Sequence, residues 1–400
     1  MPARTLTFCL LVIALILCLF SCEKPSNEIV PPAPDPTPTP APSPEPEPEP
    51  LSGTLCTDIG QIPVILAYYT EYSSALPDVT LLTHINYAHG RFANPSTGEG
   101  GIVISKPELM EDVIKLKSKN PKLKVLLMIG GWGIKADGFS MMACNSGKRT
   151  AFCKSVQSLL DKYGLDGVDI DWEYPTYSAE GTGARSDDTA NFNLVLKELR
   201  KTIGTSKIIS FASSSSAKYV DWPEAIKYID YVNVMTYDMG SAPDGHNSPL
   251  YHSSIFDHRS CDESIELHRQ KGIPLERMNL GVPFYGRAES NPAVKVYESE
   301  VCFNEMASIL EKNYYAKRKL DVKGKNIRKW DEKARVPYLT DTGGHILLCY
   351  DDAESVTAKG EFVKEKKLLG AMFWEYRHDD SNQTLLKALV KSIYGNESVL

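Results

Sequence analysis

The sequence predicts an α/β fold: a closed (β/α)8 barrel with an inserted segment between its seventh and eighth strands. Three observations predict it. From residue 62 onward, eight short apolar runs alternate with longer stretches of amphipathic helical periodicity. No glycine-rich phosphate loop follows the first run, which continues Tyr68-Tyr69-Thr70-Glu71; an open nucleotide-binding sheet is therefore disfavoured. The fourth run carries carboxylates that alternate with large apolar residues, as a strand with two unlike faces should.

The predicted strands are 64–69, 84–88, 124–129, 167–171, 208–213, 231–236, 279–283 and 370–374. Helices lie near 106–119, 146–163, 189–203, 260–271, 353–366 and 381–394. Ser105 is placed as the cap of the first, with Pro107 and Glu108 in its opening turn. The seventh and eighth strands stand 86 residues apart, about twice the usual step. Residues 288–345 are therefore read as an inserted subdomain or loop excursion on the functional rim. Eight strand–helix units fit the length of a closed barrel.

The chain ends belong to a different regime. Arg4 precedes an apolar run from Phe8 to Phe20 that stops at Ser21-Cys22. Thirteen residues suit a signal-peptide core and are too few for a membrane-spanning helix. Leu19-Phe20-Ser21-Cys22 resembles a bacterial lipobox, so residues 1–21 are read as a lipoprotein signal and Cys22 as the lipidated N-terminus. A plain secretory signal is the competing reading. Residues 31–50 hold eleven Pro, a composition that favours extended polyproline and cannot build a core. Residues 22–61 are thus a lipidated linker and 62–395 the folded body. The location expected is the cell envelope, anchored by lipid to the outer membrane.

With 42 % hydrophobic and 24 % charged residues, the 400-residue chain is neither disordered nor a multi-span membrane protein. Net charge is −7, and residues 1–50 supply two basic against six acidic side chains. The remaining body is close to neutral, with no basic footprint for nucleic acid. Its partner is expected to be a neutral molecule, and the protein a monomer. Six cysteines follow Cys22: Cys56, Cys144, Cys153, Cys261, Cys302 and Cys349. None has metal-type spacing; bridges and buried thiols both remain open. No metal or cofactor is expected.

Chemistry concentrates in Asp166-Gly167-Val168-Asp169-Ile170-Asp171-Trp172-Glu173-Tyr174-Pro175. Asp169, Asp171 and Glu173 share one face of the strand, Val168, Ile170 and Trp172 the other. The apolar face suits the outer helices, so the acids look into the barrel. Neighbours ~6.6 Å apart repel by about 2.5 kcal/mol at an effective dielectric near 20. The row should share protons and titrate as a unit. Glu173 sits last, at the end where barrel enzymes keep their active sites. Asp166 has the opposite parity and is read as structural.

Here the sequence resembles glycoside hydrolase family 18, whose DxxDxDxE signature is matched by Asp166, Asp169, Asp171 and Glu173. Ile129-Gly130-Gly131-Trp132 is similar to the family's SxGG-Trp segment. Met235-Thr236-Tyr237-Asp238 resembles its Met-x-Tyr-Asp motif. Leu280 to Arg287 and Met372-Phe373-Trp374-Glu375 resemble its seventh and eighth strands. The resemblance runs from about residue 62 to 394 and implies a retaining hydrolase of the chitinase and endo-β-N-acetylglucosaminidase kind. It implies that the substrate's 2-acetamido oxygen is the nucleophile. Glu173 is then the acid, Asp171 holds the acetamido N–H, Asp169 exchanges a proton with Asp171, and Tyr237 binds the acetamido oxygen. Trp374 forms the sugar floor. Met235, Asp238, Tyr69, Trp132, Tyr174 and Arg287 are further candidate contacts.

Two residues depart from the family pattern. Met128 stands where the family has Ser, removing a hydroxyl near Asp169; Tyr69 or a water is expected to replace it. His89 stands where the family has an aromatic, either as a satisfied core histidine or as a change in the sugar pocket. The function expected is hydrolysis of β-1,4 bonds in chitin or chitooligosaccharides. The alternatives are cleavage of N-glycan chitobiose cores by the same chemistry, and a non-catalytic chitin-binding lectin on the same barrel.

Overall fold

The computed structural model describes residues 56, 58–178, 180–288, 300–304 and 327–400. The predicted signal peptide, Cys22 and the proline-rich linker lie outside them. Strands β1 (Val64–Thr70) and β2 (His84–Asn94) open the barrel, and β3 (Glu99–Ile104) folds back antiparallel on β2. β4 (Lys124–Gly131), β5 (Gly167–Trp172), β6 (Ile208–Ser214), β7 (Tyr231–Met235) and β8 (Met278–Pro283) continue it. An insertion then forms β9 (Tyr285–Ala288), β10 (Glu300–Cys302), β11 (Ile327–Asp331), β12 (Val336–Thr340) and β13 (Ile346–Cys349). β14 (Gly370–Trp374) is the eighth barrel strand. It pairs in parallel with both β8 and β1, and β1 pairs in parallel with β2, which closes the ring.

All eight predicted barrel strands are present. The antiparallel β3 was not predicted. The insertion is wider than 288–345: its sheet, ordered β10-β9-β13-β12-β11, starts at Tyr285 and ends at Cys349. Cys56 and Val399 also pack on the barrel, through Cys56 N to Asp230 Oδ1 (2.7 Å) and Val399 N to Thr80 O (2.9 Å).

The described helices are α1 (Pro107–Lys115), α2 (Phe139–Ala143), α3 (Ser146–Tyr163), α4 (Asp188–Ile203), α5 (Trp222–Ala225), α6 (Cys261–Gln270), α7 (Ala353–Lys366) and α8 (Thr384–Tyr394). α3 starts where the Asn145 side chain accepts from Lys148 N and stops at Gly164, whose φ is +62°. A reciprocal Ser260–Glu263 capping box starts α6. Ser105 does not cap α1. Its carbonyl accepts from Tyr87 Oη and its N–H donates to His89 O, so it belongs to the sheet edge. Lys106, with φ +48° and no capping side chain, precedes Pro107.

Strand alternation divides the buried side chains into two sets. Ile65, Tyr69, Ile129, Val168, Ile170, Trp172 and Phe211 join the apolar layer under the helices. Leu66, Tyr68, Leu126, Met128, Tyr231, Met235 and Met372 face the barrel axis. The acids share that inner space. At the opposite end of the barrel, Asp230 accepts from Arg200 (2.6 Å), Ile209 N (2.7 Å) and Cys56 N (2.7 Å).

Candidate active site

Asp169 is fully buried at the barrel axis. Its Oδ2 accepts from Tyr68 Oη (2.8 Å), and its Oδ1 from Ser210 Oγ (2.5 Å) and Asn233 Nδ2 (3.0 Å). Asn233 is itself fixed by Asn279 Nδ2 at 2.9 Å. Burial raises the Asp169 carboxyl to about 6 despite the donors around it. Met128 lies directly across the sheet from Asp169. Asp169 is instead satisfied by hydroxyls from β1 and β6 and by an amide N–H from β7.

This corrects the placement of Tyr69. Tyr69 has outward parity, its hydroxyl donates to Ala75 O (3.1 Å), and its ring packs near Tyr87 and Tyr376. The residue that reaches Asp169 is its neighbour, Tyr68.

Asp171 is the next inward residue and is also buried, with no hydrogen-bond partner for Oδ1 among the described residues. Burial, Glu173 and Asp169 together hold its carboxyl well above the usual range, against the pull of Lys135. Asp171 is seated by Gly130, whose φ is +106°; a Cβ there would lie 2.1 Å from Asp171 O. Glu173 lies one residue beyond the end of β5 and is half-buried. Burial raises it to about 7, offset in part by a hydrogen bond with Tyr174 and by Lys135. The row is thus protonated in part near neutral pH, with its most accessible member at the mouth.

β7 ends at Met235, one residue short of the predicted strand, and Tyr237 follows it into the same inner cluster. The Tyr237 hydroxyl points to Met372 Sδ at 3.9 Å, and its ring meets Tyr285 edge-on at 6.0 Å. Asp238 adopts φ +56° and takes three donors on Oδ1: Tyr285 Oη (2.8 Å), Arg287 Nε (2.8 Å) and Arg287 Nη2 (2.5 Å). Arg287 thus reaches the barrel mouth from β9.

Trp374 ends β14 half-buried, its ring centroid 5.5 Å from Tyr68 and 6.4 Å from His89. Trp132 is 46 % exposed and meets Tyr174 edge-on at 6.3 Å. Tyr174 in turn stacks on Tyr219 at 4.8 Å, so aromatic surface continues away from Glu173. His89 is buried. Its Nδ1 is 2.7 Å from Glu71 Oε2, and the other oxygen of Glu71 takes Arg91 at 2.6 Å. Asp166 accepts from Val125 N (2.7 Å) and pairs with Lys117 (2.6 Å), which ties β5 to β4 at the strand entry.

Sequence reasoning missed Tyr68, Ser210, Asn233, Tyr219 and Tyr285. Asn233 had a usable signal, being a polar residue two positions before Met235 and so of the same parity. The others come together only through the closed ring.

A parallel barrel with a buried carboxylate row, ending in a raised acid among aromatic walls, defines a glycoside hydrolase. The chain belongs to glycosyl hydrolases family 18, which residues 64–379 match. It is 31 % identical over 409 aligned residues to chitinase A1 of Niallia circulans, covering 83 % of this chain and 57 % of that one. It is 30 % identical to chitotriosidase-1 of Mus musculus, covering 78 % and 71 %. The chain therefore spans little more than half the length of the Niallia relative. Among solved structures it resembles a family 18 N-acetylglucosaminidase from Paenibacillus barengoltzii, with TM-score 0.69, 32 % identity and coverage of 82 % and 99 %. It also resembles the Ostrinia furnacalis Group IV chitinase in complex with allosamidin, with TM-score 0.69, 28 % identity and coverage of 83 % and 98 %. The fold and the enzyme class expected from the sequence stand.

Proposed function

We propose that the protein is a chitinase that hydrolyses β-1,4 bonds between N-acetylglucosamine units with retention and substrate assistance. The observation that carries this reading is the inward row Asp169–Asp171–Glu173, with Glu173 held near 7 at the mouth. An acid of that pKa can protonate a leaving oxygen near neutral pH and then, as its conjugate base, activate water. No second carboxylate is needed as nucleophile, because the 2-acetamido oxygen attacks the anomeric carbon. Asp171 holds the acetamido N–H and offsets the growing positive charge. Asp169, surrounded by its donors, takes or gives the proton that Asp171 shares with it. Tyr237 orients the acetamido oxygen and Trp374 underlies the sugar. Met235, Asp238 and Arg287 line the pocket, and Trp132 and Tyr174 guide the neighbouring unit.

The test is product analysis by mass spectrometry after incubation with chitohexaose and, separately, a high-mannose N-glycopeptide. Short N-acetylglucosamine oligomers from the hexamer alone are expected. A released glycan with one sugar left on the peptide would move the activity to N-glycans. No cleavage of either would favour the lectin reading. A second reading, release of single N-acetylglucosamine units, is favoured by the likeness to the Paenibacillus N-acetylglucosaminidase; the same spectra reveal it as monomer from the first turnover.

The envelope location is proposed on the lipobox-like string at Cys22 and the proline-rich spacer after it. Labelled fatty acid on the wild type and its loss in Cys22→Ala test it. Unlabelled wild type would overturn it.

A further inference from the structure

Asp169 sits between two unlike flanks on the inner face of the barrel. Met128 of β4 lies across from it on one side and Ser210 of β6 on the other. Met128 has no proton to give. Ser210 is fully buried and donates to Asp169 Oδ1 at 2.5 Å, closer than Tyr68 or Asn233 comes to this carboxyl. Asn233 Nδ2 donates to the same oxygen at 3.0 Å. The Asn233 amide is held this way round. Its own Oδ1 accepts from Asn279 Nδ2 at 2.9 Å, and turning it would set a carbonyl against the carboxylate.

The two oxygens of Asp169 are therefore unequally occupied. Each carboxylate oxygen offers a pair of in-plane lone pairs. Those of Oδ1 are taken by Ser210 and Asn233, whereas Oδ2 accepts from Tyr68 alone among the described residues, at 2.8 Å. Asp171, the next inward residue of β5, has no hydrogen-bond partner for its Oδ1 among the described residues. A proton passing between the two carboxyls thus finds one open lone pair on Asp169, at Oδ2. The groups that titrate around Asp169 are Asp171 on its own strand, Tyr68 from β1, Tyr231 from β7 and Tyr237 just beyond it. Glu173 and Lys135 act on Asp171 from the mouth. Burial holds the three phenols well above their ordinary range, so they keep their protons while the carboxyls change charge. Asn86, Met128, Ser210 and Asn279, the inward residues of the remaining strands at this level, carry no charge.

We infer that Ser210 is a positioning residue for hydrolysis: with Asn233 it closes Oδ1, so that Oδ2 carries the proton Asp169 shares with Asp171. The inference rests on the substrate-assisted reading above, in which that proton must move. It passes from the Asp171 carboxyl to Asp169 Oδ2 and back, and the charge of the row is unchanged. Without the Ser210 hydroxyl, Oδ1 has an open lone pair of its own and a proton can settle there. Loss of a donor to the charged form also makes Asp169 easier to protonate. Either change withholds the proton from Asp171.

The experiment titrates the Asp169 carboxyl directly, by NMR of the full chain with isotope-labelled aspartate carboxyl carbons, the signal being the one missing in Asp169→Asn. The pH profile of kcat/KM on chitohexaose is measured beside it. Ser210→Ala should raise the Asp169 midpoint and the acid limb of the profile by about one to two pH units. It should lower kcat roughly 10- to 100-fold with KM within about threefold. Ser210→Thr keeps the hydroxyl and should hold the midpoint within about half a pH unit of wild type. An unmoved midpoint in Ser210→Ala overturns the inference. So does an equal shift in both variants, which would trace it to packing and not to the donor. If the wild type cleaves no oligosaccharide, the proposed function fails instead, and the carboxyl titration still decides whether Ser210 governs Asp169.

Discussion

Tyr68 donates its hydroxyl to Asp169 across 2.8 Å of the barrel interior, while its chain neighbour Tyr69 turns to the opposite side of the same strand. The two substitutions should therefore separate. Tyr68→Phe removes a hydrogen bond to a buried carboxylate, worth about 1.5–3 kcal/mol, and should lower kcat/KM by roughly 10- to 100-fold. Tyr69→Phe should leave activity within about twofold and cost about 1 kcal/mol of stability. Steady-state kinetics on a chitooligosaccharide check both, and equal losses would contradict the assignment.

Glu173→Gln keeps the shape of the mouth and removes its acid. Turnover should fall roughly 10²- to 10⁴-fold, while oligosaccharide binding measured by calorimetry stays within about threefold. A variant that hydrolyses normally would disprove the role given to Glu173.

The pH dependence follows from the same row. With Glu173 near 7, kcat/KM should decline above neutrality as the acid loses its proton. Stability should move in the same direction. Asp169 and Glu173 have folded pKa values above their ordinary ones, so between about pH 4 and 7 the native state binds protons that the unfolded chain has released. That contribution is fully present below about pH 4 and is lost as pH rises through 6 and 7. For buried Asp169 the loss is about 3 kcal/mol. Gln at 173 does not titrate, so Glu173→Gln should gain on wild type in urea midpoint at pH 8 relative to pH 5. An unchanged difference between the two pH values would count against it.

Analogues lacking the 2-acetamido group should resist cleavage by at least roughly 10³-fold, since the nucleophile is missing. Efficient turnover of one, followed by reducing-end release, would exclude substrate assistance.

Far from the mouth, the Arg200–Asp230 pair is buried on both sides. Removing one partner leaves a buried charge unpaired, and Arg200→Met should cost about 3–5 kcal/mol. Chemical denaturation measures it, with activity per folded molecule unchanged.

The barrel strands were legible because each is a short, nearly continuous apolar run between helices, and the acid row because its alternation is strict. The parity of β1 was not legible. All seven of its residues are buried, so no change of polarity distinguishes Tyr68 from Tyr69, and only the closed ring of neighbours decides which faces Asp169. β3 escaped notice because Glu99-Gly100-Gly101 carries little strand preference; its conformation is set by pairing with β2. The charged run Arg328-Lys329 hid β11 in the same way. Ser105 looked like a cap from composition, but its polar groups were already taken by the sheet edge.

β8 ends at Pro283 and β9 begins two residues later, so one run of chain passes from the barrel into the inserted sheet. Tyr285 and Arg287, at the start of that sheet, grip Asp238 three residues beyond the end of β7. The inserted sheet is therefore a structural part of the pocket wall, and excising it would remove both side chains that donate to the Asp238 carboxylate.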